Sequence, residues 1–200
     1  MTKIKDVTTL VKTKFVGLYD VEYENKNNDK RHWMVASRKD ENNLKEIYIN
    51  DKEDKIDAVV IAAYHKSEKK LVLIKQFRVP INSYIYELPA GLVDNEEGIE
   101  KAVKRELKEE TGLELISINN INSNDKLYLS PGMTDESVAF VYCLCDGNLS
   151  KEFLEEDEDI EAFLVSKEEA KEIINGREKI DIKSYLLLQI FINLGEKLFY

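Results

Sequence analysis

The stretch from Gly91 to Leu113 reads GLVDNEEGIEKAVKRELKEETGL, and both the fold and the chemistry turn on it. At 3.6 residues per turn, Ile99, Ala102 and Val103 form an apolar stripe on a helix. Glu106 and Glu110 project inside that same stripe, while Lys101, Lys104 and Lys108 fall on the opposite side. The core-facing stripe therefore turns acidic halfway along. Like charges four residues apart repel on a helix, and partly buried carboxylates are costly unless compensated. A hard divalent cation held by oxygen ligands is the simplest compensation. A merely solvated charged face fits less well, because the lysines mark the solvated side.

Around this helix the chain has the makings of one domain with a small appendage. It has 200 residues, 43% of them hydrophobic, enough for a real core. The net charge of -10 disfavours non-specific binding to nucleic acid or to an anionic membrane. A small phosphate-bearing substrate still fits if metals and a few arginines neutralise it locally. Cys143 and Cys145 share one face of a strand and make neither a disulfide framework nor a zinc site. Buried thiols in a reducing cytoplasm are the expectation for them. No apolar run approaches a membrane span and no signal-peptide region opens the chain, so the expected location is cytoplasmic.

Outward from the helix, residues 12–25, 32–39 and 46–50 read as strands, with a turn at 26–29. The charged run at 51–55 is the expected break between an N-terminal β subdomain, 1–50, and a main domain, 51–200. Strands are expected at 56–64, 71–76, 83–88, 113–121, 125–129, 136–145 and 160–165. The acidic helix should span about 97–111 and stop at Gly112. An acidic loop covers 147–159, and Ser166 caps a helix over 167–175. The last helix, 181–198, is apolar on most sides and is expected to be buried. Strands on both sides of the acidic helix, with helices at the end, predict a mixed-sheet α/β/α sandwich without doubly wound regularity.

The 91–113 stretch resembles the Nudix box, GX5EX7REUXEEXGU with U apolar. Every specified position is present: Gly91, Glu97, Arg105, Glu106, Leu107, Glu109, Glu110, Gly112 and Leu113. Flanking segments, QFRVPINSYIYELPAG at 76–91, SPGMTDE at 130–136 and EEDEDIEAF at 155–163, resemble the ADP-ribose pyrophosphatase branch of that family. The resemblance implies a Nudix fold and hydrolysis of ADP-ribose or a related ADP-sugar to AMP and a sugar phosphate, with Mg2+ or Mn2+. The appendage at 1–50 suggests a homodimer with exchanged N-terminal strands. The alternatives are a pyrophosphatase for another nucleoside diphosphate sugar, such as GDP-mannose, and a non-hydrolytic sensor of ADP-ribose. The intact set of box acids argues against the sensor.

Carried over position by position, the resemblance makes Glu106, Glu109, Glu110 and the Ala90 carbonyl metal ligands. Arg105 pairs with and orients Glu109, and Glu97 ties the preceding loop to the helix. The catalytic base is expected in the acidic loop, with Glu156 as base and Glu158 as a further metal ligand; a solvated acidic run is the competing reading. Trp33 matches an adenine-stacking position, Arg38 a phosphate-binding one, and Phe15 a second stacking aromatic given by the partner subunit. The competing reading packs Phe15 and Trp33 into the core. Arg78 fits a phosphate or ribose contact, or is a surface arginine at a strand end. Glu136 fits a bond to a ribose hydroxyl, or is a strand-edge acid. His32 and His65 read as surface residues.

Overall fold

A computed structural model describes every residue except Asn95 and Asp157. It divides into two compact units, Met1–Asp57 with Tyr128–Val138, and Ala58–Leu127 with Ala139–Tyr200. The first unit thus runs past residue 50 and also takes in 128–138.

In the first unit, β1 (Lys3–Lys12), β2 (Gly17–Glu24) and β3 (Lys30–Ser37) form an antiparallel sheet in that order. The strand β1 escapes sequence reading because Val7 is its only fully buried position among polar neighbours. Residues 46–50, expected as a strand, are instead the second half of helix α1 (Glu41–Asn50). The termini override the β-branched residues of EIYIN. The Asp40 carboxylate accepts from the Asn43 N–H and caps the start, and Asp51 ends the helix in the left-handed region at φ 54°. Leu44 and Tyr48, one turn apart, pack with Val7, Tyr19 and Val21. The segment 129–137 folds onto β3: Ala36 N–H donates to the Met133 carbonyl at 3.0 Å, and Ala36 bridges Thr134.

The second unit carries the large sheet. Its elements are β4 (Ala58–His65), β5 (Lys70–Arg78), β6 (Ser83–Glu87), β7 (Ala90–Leu92), α2 (Ile99–Thr111), β8 (Glu114–Ile118), β9 (Asn124–Tyr128), β10 (Ser137–Asp146), β11 (Ile160–Val165), α3 (Lys167–Asn175) and α4 (Ile182–Leu194). The order is β11-β5-β4-β10-β8, with β6 on β5, β7 on β4 and β9 on β10. Hydrogen bonds from Asp57 to Ser137 and from Lys66 to Cys145 run in the same direction along β4 and β10, so the sheet is mixed. Every residue of β4 is buried, as expected for a central strand. The short β7 is too brief to read from sequence, yet it places Gly91 beside α2.

α2 buries Ala102, Val103, Glu106, Leu107, Glu110 and Thr111, so the acidic stripe faces inward as its periodicity dictates. Gly112 ends the helix at φ 78°. Ser166 caps α3 with a full capping box. α4 is not buried all round: Leu187, Leu188 and Phe191 are, whereas Ile182, Leu186, Ile190 and Leu194 are exposed. A helix packed on one side buries one stripe whatever the composition of the other. His65 is likewise no surface residue. It closes β4, 1% exposed, with Nδ1 accepting from the Glu68 N–H and Nε2 donating to the Gly147 carbonyl at 2.9 Å. His32 stays exposed, against Asp20. Cys143 and Cys145 are free and buried. Among the described residues no helix is long and apolar enough to cross a membrane.

Candidate active site

The second unit gathers the acids of α2 around one guanidinium. Arg105 Nη1 donates to Glu106 at 2.6 Å and to Glu109 at 3.1 Å. Its Nε and Nη2 donate to the two oxygens of Glu97 at 3.1 and 2.8 Å, and Nη2 also reaches the Leu92 carbonyl. The pairing with Glu109 is the i,i+4 contact that the sequence spacing requires. Glu97 accepts in addition from the Asp94 N–H, so it clasps the loop before α2 to the helix. Arg105 is held more firmly protonated than an ordinary arginine, chiefly by its hydrogen bonds to Glu97.

Glu110 is 4% exposed and accepts a 2.9 Å bond from the Ala90 N–H. Burial pushes its carboxyl well above the usual range, and burial raises Glu106 as well. The charges of Glu106 and Glu158 push Glu110 in the same direction. β7 comes so close to α2 that a Cβ on Gly91 would stand 1.9 Å from the carboxyl group of Glu106.

Of the acidic-loop candidates, Glu158 lies near enough to the α2 acids to act on them by charge. Its charge is felt by both Glu106 and Glu110, and its own carboxylate accepts from the Glu155 N–H at 3.0 Å. Glu156 is exposed. Asp159 ties this loop to the sheet by accepting from the Tyr84 hydroxyl and, through its carbonyl, from the Phe77 N–H. Arg78 donates through Nε and Nη2 to Glu87 at 2.9 and 2.7 Å, and its charge eases the ionisation of Glu110. Sequence reading does not find the partner Glu87; the signal for it is the β5–β6 hairpin, which pairs Glu87 with Ile74, four residues before Arg78 on the same strand.

Among the described residues no group of His, Cys, Asp or Glu stands ready to hold a metal ion. The carboxylates are turned to protein donors: Glu106 and Glu109 to Arg105, and Glu110 to Ala90. Their chemistry still fits a hard cation. The donors are carboxylate oxygens, Glu106 and Glu110 are buried, and Arg105 supplies a single positive charge against several negative ones.

In the first unit, Trp33 and Phe15 are 53% and 70% exposed, so neither is a core residue. The Trp33 indole N–H donates to the Gly132 carbonyl at 3.2 Å. Phe15, Arg38 and Glu136 line a cavity of about 290 Å3 together with Ala36, Asp57 and Asp135. Arg38 and Glu136 face each other at 3.6 Å. A neighbouring hollow of about 220 Å3 is lined by Trp33, Tyr48, Tyr128 and Met133. Sequence reading misses Lys39, which sits between Asp57 at 3.0 Å, Asp135 at 3.1 Å and Asp54 at 3.4 Å. The only sequence signal is adjacency: Lys39 follows Arg38, and Asp135 precedes Glu136.

Known proteins resemble this chain in sequence and in fold. The chain is 36% identical over 135 residues to the "ADP-ribose pyrophosphatase" of Bacillus subtilis, covering 66% of this chain and 69% of that one. It is 34% identical over 143 residues to the "GDP-mannose pyrophosphatase" of Shigella flexneri serotype 5b, covering 68% and 73%. A crystal structure of an "ADP compounds hydrolase" superposes with a TM-score of 0.68 at 19% identity, covering 94% of this chain and 91% of the other, which bears on the fold alone. The NUDIX domain family matches residues 54–184, well over half of the sequence and the whole of the acidic helix, and the chain belongs to that family.

Proposed function

We propose that this chain is a divalent-metal-dependent Nudix pyrophosphohydrolase that splits ADP-ribose, or a close ADP-sugar, into AMP and a sugar phosphate. The observation that carries the reading is the buried Glu106–Glu110 pair one turn apart on α2. A binding module gains nothing from buried, mutually repelling carboxylates. The residues suited to hold Mg2+ or Mn2+ are Glu106, Glu109, Glu110 and Glu158, joined by the Ala90 carbonyl. A cation bound there supplies charge neutralisation of the diphosphate and acidifies a bound water.

The protein's own part is positioning and proton transfer. Arg105 fixes Glu106 and Glu109 while Glu97 fixes Arg105. A carboxylate of the acidic loop, Glu158 or Glu156, takes the proton of the attacking water. Water adds to phosphorus, the P–O–P bond breaks, and the pair of electrons leaves on the departing phosphate oxygen. Arg78 would contact a phosphate or ribose oxygen. In the first unit Trp33 and Phe15 offer exposed rings for stacking a base, Arg38 a guanidinium for a phosphate, and Glu136 an acceptor for a ribose hydroxyl. The GDP-mannose pyrophosphatase relative favours a second reading, another nucleoside diphosphate sugar, at the same site.

A homodimer through the N-terminal strands belongs to the same reading. β1 lies at an end of its sheet, and a lone sheet edge invites pairing. A reducing cytoplasm suits the two free thiols.

The test is a panel of nucleoside diphosphate sugars with Mg2+, with excess EDTA, and with Glu110→Gln. ADP-ribose should be cleaved fastest, activity should vanish in EDTA, and the variant should lose roughly a hundredfold or more in kcat. Full turnover in EDTA or in Glu110→Gln refutes the metal site; faster cleavage of GDP-mannose selects the second reading.

A further inference from the structure

We infer that Lys39, held by Asp57 and Asp135, is the positioning residue that sets the substrate-facing geometry of Arg38 and Glu136. The inference rests on the nucleotide-sugar reading above and deepens it. Lys39 Nζ donates to both oxygens of Asp57 at 3.0 and 3.3 Å and to Asp135 at 3.1 Å, and Asp54 stands at 3.4 Å. All of these side chains are only 11–14% exposed. Asp57 also accepts from the Ser137 N–H at 2.8 Å. Lys39 therefore ties together three stretches of backbone: the end of β3, the segment just before β4, and the loop at 129–137.

Its immediate neighbours are the polar groups of the cavity. Arg38 precedes Lys39 and Glu136 follows Asp135, and both line the about 290 Å3 space with Phe15. Further ties join the same two segments, from Trp33 to Gly132 and from Ala36 to Met133. Replacing a buried ion cluster by apolar residues of equal volume is often neutral or stabilising, so the role inferred for Lys39 is the geometry it sets rather than net stability. Lys39 also neutralises Asp57 and Asp135, which line the cavity themselves. Without it those carboxylates would repel a diphosphate.

The experiment is steady-state hydrolysis of ADP-ribose with saturating Mg2+ by the full chain, as wild type, Lys39→Met, Lys39→Arg and Asp135→Asn, each checked for folding by circular dichroism. Lys39→Met should raise KM about tenfold or more with kcat changed less than about threefold, and Lys39→Arg should restore KM to within about threefold. The reason is that Arg38 and Glu136, once positioned, hold substrate equally in the ground and transition states. Unchanged KM in folded Lys39→Met, or a loss confined to kcat, overturns the inference. Should Lys39→Met fail to fold, Asp135→Asn decides. Simple charge removal beside an anion site would lower KM, whereas loss of positioning raises it by about threefold or more; an unchanged or lower KM overturns the inference. Wild type that leaves ADP-ribose intact sinks the functional reading and this inference together, whereas active wild type with an indifferent Lys39 sinks this inference alone.

Discussion

The backbone of Gly91 lies directly against the carboxylate of Glu106: a Cβ added at Gly91 would meet the Glu106 carboxyl carbon at 1.9 Å. The constraint is one of space, since β7 is ordinary extended backbone paired with Val59. Gly91→Ala must therefore move either β7 or Glu106. Because Ala90, next in β7, holds Glu110, either movement disturbs the acid pair. We expect Gly91→Ala to keep its circular dichroism spectrum and lose roughly a hundredfold in kcat, the scale of displacing a key electrostatic group. Near-normal turnover would show that Glu106 is not needed where it stands.

Glu158 and Glu156 separate by what they face. Glu158 acts electrostatically on Glu106 and Glu110, while Glu156 is exposed. Glu158→Gln should lose about a hundredfold or more in kcat with Mg2+ saturating. Glu156→Gln distinguishes the roles: a similar loss with unchanged KM would mark it as the base, and normal turnover would leave Glu158 as the carboxylate that matters. Should both variants turn over normally, the acidic loop carries no chemistry.

Glu41 gives the first unit an acid-sensitive clasp. Its carboxylate accepts from the Thr9 hydroxyl and N–H and pairs with Lys45, which also holds Asp6. The Thr9 hydroxyl, first, and Lys45 hold its pKa down at about 2, against an ordinary 4.5. A carboxyl lowered in the fold contributes stability above its unfolded value, and that contribution is lost as pH falls from about 4.5 toward about 2. The melting temperature of wild type should therefore drop more steeply across this window than that of Glu41→Gln. Parallel melting curves from about pH 5 to about pH 2.5 would refute the assignment.

What can be read from the sequence is what depends on local periodicity. The stripe through Ala102, Val103, Glu106 and Glu110 faces inward because 3.6-residue spacing leaves no alternative. The Ser166 cap and the Gly112 stop are equally local. What escapes depends on partners far along the chain. α1 reads as a strand because EIYIN carries strand-forming residues, and its helical state rests on the Asp40 cap and on packing against Val7 and Tyr19. His65 reads as a surface residue because its partner, the Gly147 carbonyl, lies 82 positions away. Lys39 is invisible for the same reason. Of its acids, Asp54 lies in a run that reads as a charged break, Asp57 in the strand expected at 56–64, and Asp135 in the segment between the strands expected at 125–129 and 136–145.

The segment 128–138 completes a unit whose other part ends at Asp57. During synthesis, at about 5–20 residues per second, Lys39 and Asp57 emerge several seconds before Asp135 and Glu136 are made. The nascent N-terminal sheet must wait with its lysine half-partnered. A gene fragment that stops at residue 57 would encode Arg38 without Glu136, and grafting this unit onto another protein would need two inserts rather than one.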